Sequence, residues 1–160
     1  MNNIPPDLLQ NWKIVVVEDE PDSMDVASYI LEFYGAKVYP ATDGKEGLAL
    51  IRELKPDFVI SDLSMPGMDG WELVHNLQRD LAVREIPVIA LTAHAMGGDR
   101  ERALAAGFYN YLTKPLTANT FINELVRLLI DIPILSSRLN IKRGNQRTEN
   151  GLPGPLRSLP

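Results

Sequence analysis

A chain of 160 residues with 45% hydrophobic and 23% charged residues has the composition of an ordinary globular domain. No apolar run approaches the roughly 20 residues that span a bilayer, and the amino terminus lacks the basic and apolar regions of a secretory signal. The absence of cysteine excludes disulfides, thiol catalysis and cysteine-based metal sites. We therefore expect a cytoplasmic protein that makes no membrane contact.

The net charge of −5 is unevenly distributed along the chain. Residues 136–160 carry five basic residues and one acid, which leaves 11 basic and 20 acidic residues, a net charge of −9, in the rest. Because phosphate contacts dominate affinity for nucleic acid, so acidic a body is not expected to bind DNA directly. We interpret 1–11 as a loose lead-in, 12–135 as the folded domain and 136–160 as a flexible basic tail.

Short apolar runs alternate with amphipathic stretches between residues 12 and 135. The first run is β-branched and continuously apolar, as expected of a strand that is buried on both faces. Strands are predicted at 13–17, 38–41, 58–62, 87–92 and 109–112, and Pro40 favours an edge position for the second. Helices are predicted at 21–34, 44–54, 70–79, 97–106 and 117–130. This alternation predicts an α/β doubly wound fold with five parallel strands and five helices.

Acidic and polar residues stand at the carboxyl ends of the predicted strands. Glu18 and Asp19 follow the first strand, Asp62 ends the third, Thr92 ends the fourth and Lys114 lies just beyond the fifth. In a parallel sheet these positions converge on one edge, where open α/β folds bind their ligands. Since neighbouring carboxylates repel one another, three of them need a cation or raised pKa values. Oxygen ligands without cysteine or nearby histidine favour Mg²⁺ over zinc.

This set of residues is suited to accepting a phosphoryl group. Phosphoryl transfer needs positioning and charge neutralisation more than covalent help from the protein. The carboxylate of Asp62 is a competent nucleophile that would form an aspartyl phosphate. Bound Mg²⁺ would hold the nucleophile and the phosphoryl oxygens, while Lys114 and Thr92 would bind the remaining oxygens.

From about Trp12 to Ile130 the chain resembles the receiver domain of two-component response regulators. The matching motifs are Glu18-Asp19, Asp62 with Met65-Pro66-Gly67-Met68-Asp69-Gly70, Thr92-Ala93, and Tyr111 with Lys114-Pro115. The spacings of 30 residues from Asp62 to Thr92 and of 22 from Thr92 to Lys114 also fit this family. The resemblance implies a flavodoxin-like sheet with strand order 2-1-3-4-5.

The resemblance also implies a role for each matching residue. Asp62 would be the phosphoacceptor, Asp19 a direct ligand of Mg²⁺, and Glu18 a residue that acts on the metal largely through water. The backbone carbonyl of Ser64 would be a further metal ligand. Lys114 would pair with the phosphoryl group, and its peptide bond to the following proline would be cis.

Two further pairs of residues would control the phosphorylated state. Thr92 and Tyr111 would form a switch in which the hydroxyl group moves toward the phosphoryl group and the aromatic ring turns inward behind it. Ser64 and His94 would modulate the approach of the hydrolytic water. His75, on the third helix, is expected to face solvent.

We therefore interpret the chain as a stand-alone receiver, a phosphorylation-dependent switch in histidine-to-aspartate signalling. Its phosphoryl group would come from a partner sensor histidine kinase or histidine phosphotransfer protein, and it would signal through a downstream protein target or relay. It would assist its own phosphorylation and dephosphorylation without being an enzyme for other substrates. The fourth helix, fifth strand and fifth helix would form the output surface, with Arg100, Tyr109 and Phe121 as candidates.

Three alternatives to a stand-alone receiver are consistent with parts of the pattern. The chain would also fit a receiver cut from a larger hybrid kinase or regulator. A phosphatase of the haloacid-dehalogenase type uses an aspartyl phosphate on a similar sheet, but it needs a second Asp two residues after the nucleophile, where this chain has Ser64. A constitutive interaction module that never meets phosphate would not need the acidic site.

Overall fold

The computed structural model describes residues 4–93 and 99–139. Its strands are β1 (Lys13–Val17), β2 (Lys37–Ala41), β3 (Phe58–Asp62), β4 (Val88–Thr92) and β5 (Asn110–Thr113). Its helices are α1 (Pro21–Phe33), α2 (Gly44–Leu54), α3 (Gly70–Gln78), α4 (Asp99–Ala106), α5 (Ala118–Ile130) and α6 (Pro133–Ser136). All of these elements except α6 lie within two residues of their predicted bounds. The prediction of five helices omitted α6, because four residues are too few to show a helical period.

The five strands form one parallel sheet in the order β2-β1-β3-β4-β5. This is the predicted flavodoxin-like order, and it places the proline-containing β2 at an edge, where the missing N–H is tolerated. Strands β1, β3 and β4 lie inside the sheet, and the four residues that follow Lys13 in β1 are fully buried. Such strands are covered on both faces, which explains their continuous apolar runs.

Alternate residues of each strand supply two separate cores. Phe58 and Ile60 of β3 pack in the core beneath α1 and α5, whereas Val59 packs in the core beneath α2 and α3. Each amphipathic helix buries an apolar face against the sheet, for example Leu73, Val74 and Leu77 on α3. None of the described helices combines the length and the hydropathy that a membrane span requires.

The segment before β1 is packed against the domain, in contrast to the loose lead-in that the sequence suggested. Leu8 and Leu9 are 1% and 0% exposed, and the amide of Leu9 donates a 2.8 Å hydrogen bond to the Tyr34 carbonyl. Trp12 is likewise buried, with its ring edge-on to that of Phe58. A segment this short shows no helical or strand periodicity, so the sequence did not indicate that Leu8 and Leu9 are buried. Their burial stabilises the domain.

Residues 136–139 also contact the domain. The Arg138 guanidinium forms an ion pair with Asp57 and lies 4.4 Å from the centre of the Trp12 ring. Leu135, on α6, is buried in the core beneath α1 and α5. The chain is therefore attached to the amino-terminal edge of the sheet up to the last described residue. Residues 140–160 of the predicted tail lie outside the described part.

Candidate functional site

Asp62 ends β3 at the carboxyl edge of the sheet, with β1 and β4 on either side. Its strand neighbours are in register: Val17 is opposite Ser61, and Asp62 is opposite Leu91. Glu18, the residue after Val17, therefore emerges beside Asp62. Both carboxylates are buried, at 1% exposure for Glu18 and 7% for Asp62.

Glu18, Asp19 and Asp62 form an acidic cluster at this edge. One carboxylate oxygen from each of the three residues lies within 4.8 Å of the others. Asp19 is exposed, so the cluster opens to solvent on its side. Mutual repulsion makes three such carboxylates unfavourable unless a cation lies between them, and hard oxygen ligands suit Mg²⁺. The donor set and its spacing therefore fit the predicted magnesium site.

Lys114 brings a positive charge into the cluster from the turn after β5. Its amide donates a 2.8 Å hydrogen bond to the Thr92 carbonyl, which holds the turn against the end of β4. Its ammonium Nζ lies 2.9 Å from Glu18 Oε1 and 3.4 Å from Asp62 Oδ2. The peptide bond between Lys114 and Pro115 is cis, as the family resemblance implied.

Burial raises the pKa of Glu18 to about 7, an effect that the nearby charge of Asp62 reinforces. Hydrogen bonds from Lys114 and from the Glu20 amide oppose this shift without cancelling it. Burial would lower the pKa of Lys114, but its contacts with Glu18 and Asp62 outweigh burial and raise the pKa above its usual value. Lys114 is thus a permanent cation at neutral pH, whereas Glu18 is poised to exchange a proton.

The loop after Asp62 is held close to the sheet. A Cβ atom on Gly70 would lie 2.2 Å from the Asp62 carbonyl oxygen, so glycine permits the loop to return to this point. Asp69 caps α3 by accepting a hydrogen bond from the Glu72 amide. Ser64 is exposed, and its amide lies 3.4 Å from Asp62 Oδ1. Ser64 therefore lies at the mouth of the site.

Thr92 and Tyr111 lie on the same face of the sheet. Tyr111 is opposite Ala90 in the parallel register of β4 and β5, and Thr92 is two residues further along β4. Side chains two residues apart on a strand share a face. Thr92 is buried and Tyr111 is half-buried. His94 lies outside the described residues.

The candidate output surface agrees only in part with expectation. Arg100 and Tyr109 are exposed, and the Tyr109 hydroxyl donates a 2.8 Å hydrogen bond to the Asp131 carbonyl. Phe121 is 2% exposed and packs in the core beneath α1 and α5, so its assignment to the surface was wrong. The start of an amphipathic helix does not distinguish an inward aromatic residue from an outward one. His75 is exposed, as predicted.

One residue at the site was not given a role by the sequence. Glu20 Oε1 lies 3.6 Å from Lys114 Nζ, and the Glu20 amide donates a 2.9 Å hydrogen bond to Glu18 Oε2. Its only sequence signal was its place in the acidic run that follows β1. The contact with Lys114 depends on a turn from the far side of the sheet, which no local pattern reveals.

The fold and the acidic cluster together define a receiver, and comparison with known proteins agrees. The response regulator receiver domain family matches residues 14–126. The chain belongs to this family, whose members are signalling proteins of two-component systems. An uncharacterised 14.6 kDa protein of Leptolyngbya boryana is 41% identical over 121 residues, which cover 76% of this chain and 89% of that protein.

Two solved structures extend the likeness to the fold. The chemotaxis response regulator CheY4 of Vibrio cholerae is similar with a TM-score of 0.70 at 29% identity, over 75% of this chain and all of that one. The receiver domain of the sensor histidine kinase PA1611 from Pseudomonas aeruginosa has a TM-score of 0.66 at 31% identity, over 74% and 97% of the two chains. That receiver holds a magnesium ion in its active site cleft.

Proposed function

We propose that the protein is a phosphorylation-dependent signalling switch that accepts a phosphoryl group on Asp62 with the aid of Mg²⁺. The observation that carries the proposal is the acidic cluster, whose three carboxylates lie within 4.8 Å of one another beside the Lys114 ammonium group. A site that gathers this much charge at a ligand-binding edge is a candidate for function. The magnesium in the related kinase receiver supports the choice of metal.

Asp62 is the nucleophile in this proposal. One of its carboxylate oxygens attacks the phosphorus atom of a phosphohistidine on the donor protein. The new O–P bond replaces the P–N bond, and the imidazole leaves with the electron pair and takes up a proton. Because Asp62 is 7% exposed at the end of a rigid strand, its carboxylate is held in place for in-line attack.

Asp19 and Asp62 would ligate Mg²⁺ directly, with the Ser64 carbonyl as a further ligand and Glu18 acting through water. When bound, Mg²⁺ supplies charge neutralisation for the nucleophile and the phosphoryl oxygens. Lys114 Nζ, 3.4 Å from Asp62 Oδ2, would bind one phosphoryl oxygen and the Thr92 hydroxyl another. Buried donors of this kind stabilise developing negative charge more strongly than they would in water.

Phosphorylation adds about −1.5 to −2 charges at Asp62. Thr92 responds by turning its hydroxyl toward the phosphoryl group, and Tyr111 follows on the same face of the sheet. Arg100 and Tyr109, which are exposed, are the candidates for reading out the change. Ser64 and His94 modulate the lifetime of the phosphorylated state by controlling the approach of water.

The partners in this proposal are a sensor histidine kinase or histidine phosphotransfer protein upstream and a protein target or relay downstream. The similarity to a chemotaxis response regulator and to the receiver domain of a sensor histidine kinase supports a place in two-component signalling. The proposal includes no contact with DNA or membrane, consistent with the acidic body of the chain. Any chemistry is confined to the protein's own aspartyl phosphate in the cytoplasm.

The direct test is phosphorylation by acetyl phosphate with Mg²⁺, followed by intact mass spectrometry. We expect the mass gain of one phosphoryl group, stable in acid, labile to hydroxylamine and abolished by EDTA. Asp62→Asn is expected to lose the gain, while Asp22→Asn, at an exposed acid outside the cluster, keeps it. No gain in the wild-type protein, or an undiminished gain in Asp62→Asn, would contradict the proposal. Continuous hydrolysis of a phosphate monoester would indicate a phosphatase instead.

A further inference from the structure

The Lys114 ammonium group contacts a third carboxylate besides those of Glu18 and Asp62. Glu20 Oε1 lies 3.6 Å from Lys114 Nζ and accepts a 2.8 Å hydrogen bond from the Ser23 hydroxyl. The side chain of Glu20 is 59% exposed, whereas that of Glu18 is fully buried. Three carboxylates therefore surround the ammonium group, and Glu20 is the exposed one.

A phosphoryl oxygen that binds Lys114 competes with these carboxylates for the same cation. Glu18 is buried, and leaving a buried charge without a partner is costly. Asp62 carries the phosphoryl group itself and stays at the site. Glu20 can return to water at small cost, because ion pairs of exposed side chains contribute little to stability.

We propose that Glu20 is a positioning residue that occupies the phosphoryl-binding place on Lys114 in the unphosphorylated protein and is displaced when Asp62 is phosphorylated. This inference rests on the proposed function. Glu20 competes with the phosphoryl group for Lys114 and thereby weakens its binding. Ser23 strengthens the competition, since its hydrogen bond holds Glu20 Oε1 on the side of Lys114.

The test is the affinity of the full-length protein for beryllofluoride, a phosphoryl analogue, in the presence of Mg²⁺. Isothermal titration calorimetry on Glu20→Gln is expected to show binding about two- to fivefold tighter than for the wild type, which is the size of effect that an exposed pair supports. Ser23→Ala is expected to shift the affinity in the same direction by less. Glu20→Gln keeps the hydrogen bond that the Glu20 amide donates to Glu18 Oε2, because the donor is a backbone N–H group.

Asp22→Asn is the matched control. It also removes one negative charge, two residues further along the chain. Asp22 is exposed and lines one surface pocket together with Glu20 and Lys114. It is expected to change the affinity by less than Glu20→Gln does. An equal gain in both variants would mean that only long-range charge matters, and an unchanged or weaker affinity in Glu20→Gln would mean that Glu20 does not compete. Either result would overturn the inference.

A second readout follows Lys114 directly. The NMR signal of its ammonium group is expected to shift when the wild type binds beryllofluoride, and the free Glu20→Gln protein is expected to be shifted part of the way already. A free variant with the wild-type signal would contradict the contact. If the wild-type protein binds no beryllofluoride, the proposed function fails and this inference fails with it, whereas normal wild-type binding without a Glu20 effect overturns the inference alone.

Discussion

Lys114 and Glu18 form an ion pair of 2.9 Å in which the Glu18 side chain is fully buried. Taking a carboxylate out of water is costly, and a single ammonium group does not repay the whole cost because it also serves Asp62. The raised pKa of Glu18 expresses this deficit. Because the single ammonium group leaves negative charge at the site, binding of a divalent cation is favoured.

The first prediction concerns pH. The pKa of Glu18 is about 7 in the folded protein and close to 4.5 when unfolded, so the folded state binds more protons between these values. The free energy of unfolding of the metal-free protein therefore falls as pH rises from about 4.5 to 7. Glu18→Gln removes this loss and is expected to be about 1–3 kcal/mol more stable than wild type at pH 8.

Urea denaturation in EDTA at pH 5 and pH 8 checks this expectation. The two proteins should be similarly stable at pH 5, where Glu18 is protonated. Glu53→Gln, at an exposed residue of α2, should keep the wild-type pH dependence. A wild-type protein that gains stability over Glu18→Gln between pH 5 and pH 8 would show that the sign is wrong.

The second prediction concerns Mg²⁺. A ligand that binds the folded state stabilises it by about 1.4 kcal/mol at ten times its dissociation constant. The melting temperature should therefore rise with Mg²⁺ in the wild type, and Asp19→Asn and Asp62→Asn should lose most of that rise. Asp22→Asn should retain it, because Asp22 is not in the acidic cluster. Differential scanning fluorimetry measures the melting temperatures of the four proteins with and without Mg²⁺. Equal responses in all four would indicate that the metal binds elsewhere.

The third prediction concerns the loop after Asp62. A methyl group on Gly70 would lie 2.2 Å from the Asp62 carbonyl oxygen and 3.0 Å from Leu63 Cα, both of them backbone atoms. Gly70→Ala should cost about 1–3 kcal/mol through overpacking and should weaken the stabilisation by Mg²⁺, since the displaced backbone belongs to Asp62.

Gly67→Ala is the matched control for this loop. Gly67 has a φ of +71° and no atom within 4 Å of an added Cβ, so the substitution brings backbone strain of about 1 kcal/mol without a clash. Urea denaturation and the Mg²⁺ response should both place it closer to wild type. If Gly67→Ala is the more disruptive of the two, the close approach at Gly70 is not what constrains the loop.

The fourth prediction concerns the carboxyl-terminal attachment. Arg138→Ala removes the ion pair with Asp57 and the stacking on Trp12, and should cost about 1 kcal/mol of stability. Arg127→Ala, at an exposed residue of α5, should be nearly neutral. Urea denaturation followed by tryptophan fluorescence reports the stability of both variants. Two variants of equal stability would mean that Arg138 behaves as part of a detached tail.

The sequence predicted the sheet because inner parallel strands must be apolar on both faces, and the runs at Phe58 and Val88 satisfy that requirement. The sequence also predicted the acidic cluster, because the carboxyl ends of parallel strands meet at one edge of the sheet and the family resemblance supplied the strand order. Phe121 was assigned to the wrong side of α5, because inward and outward positions differ by a single step at the start of a helix. The contacts of Glu20 and Arg138 join distant parts of the chain and have no local signal.

The stacking of Arg138 on Trp12 places the carboxyl-terminal part of the described fold against the residue that precedes β1, at the amino-terminal edge of the sheet and away from Asp62. Circular permutation is therefore open to this domain: a peptide can join the chain after Arg138 to the chain ahead of the buried Leu8 and Leu9. New termini can be opened in the turn around Leu81, which is 77% exposed. Every residue of the acidic cluster would keep its place in such a rearranged chain.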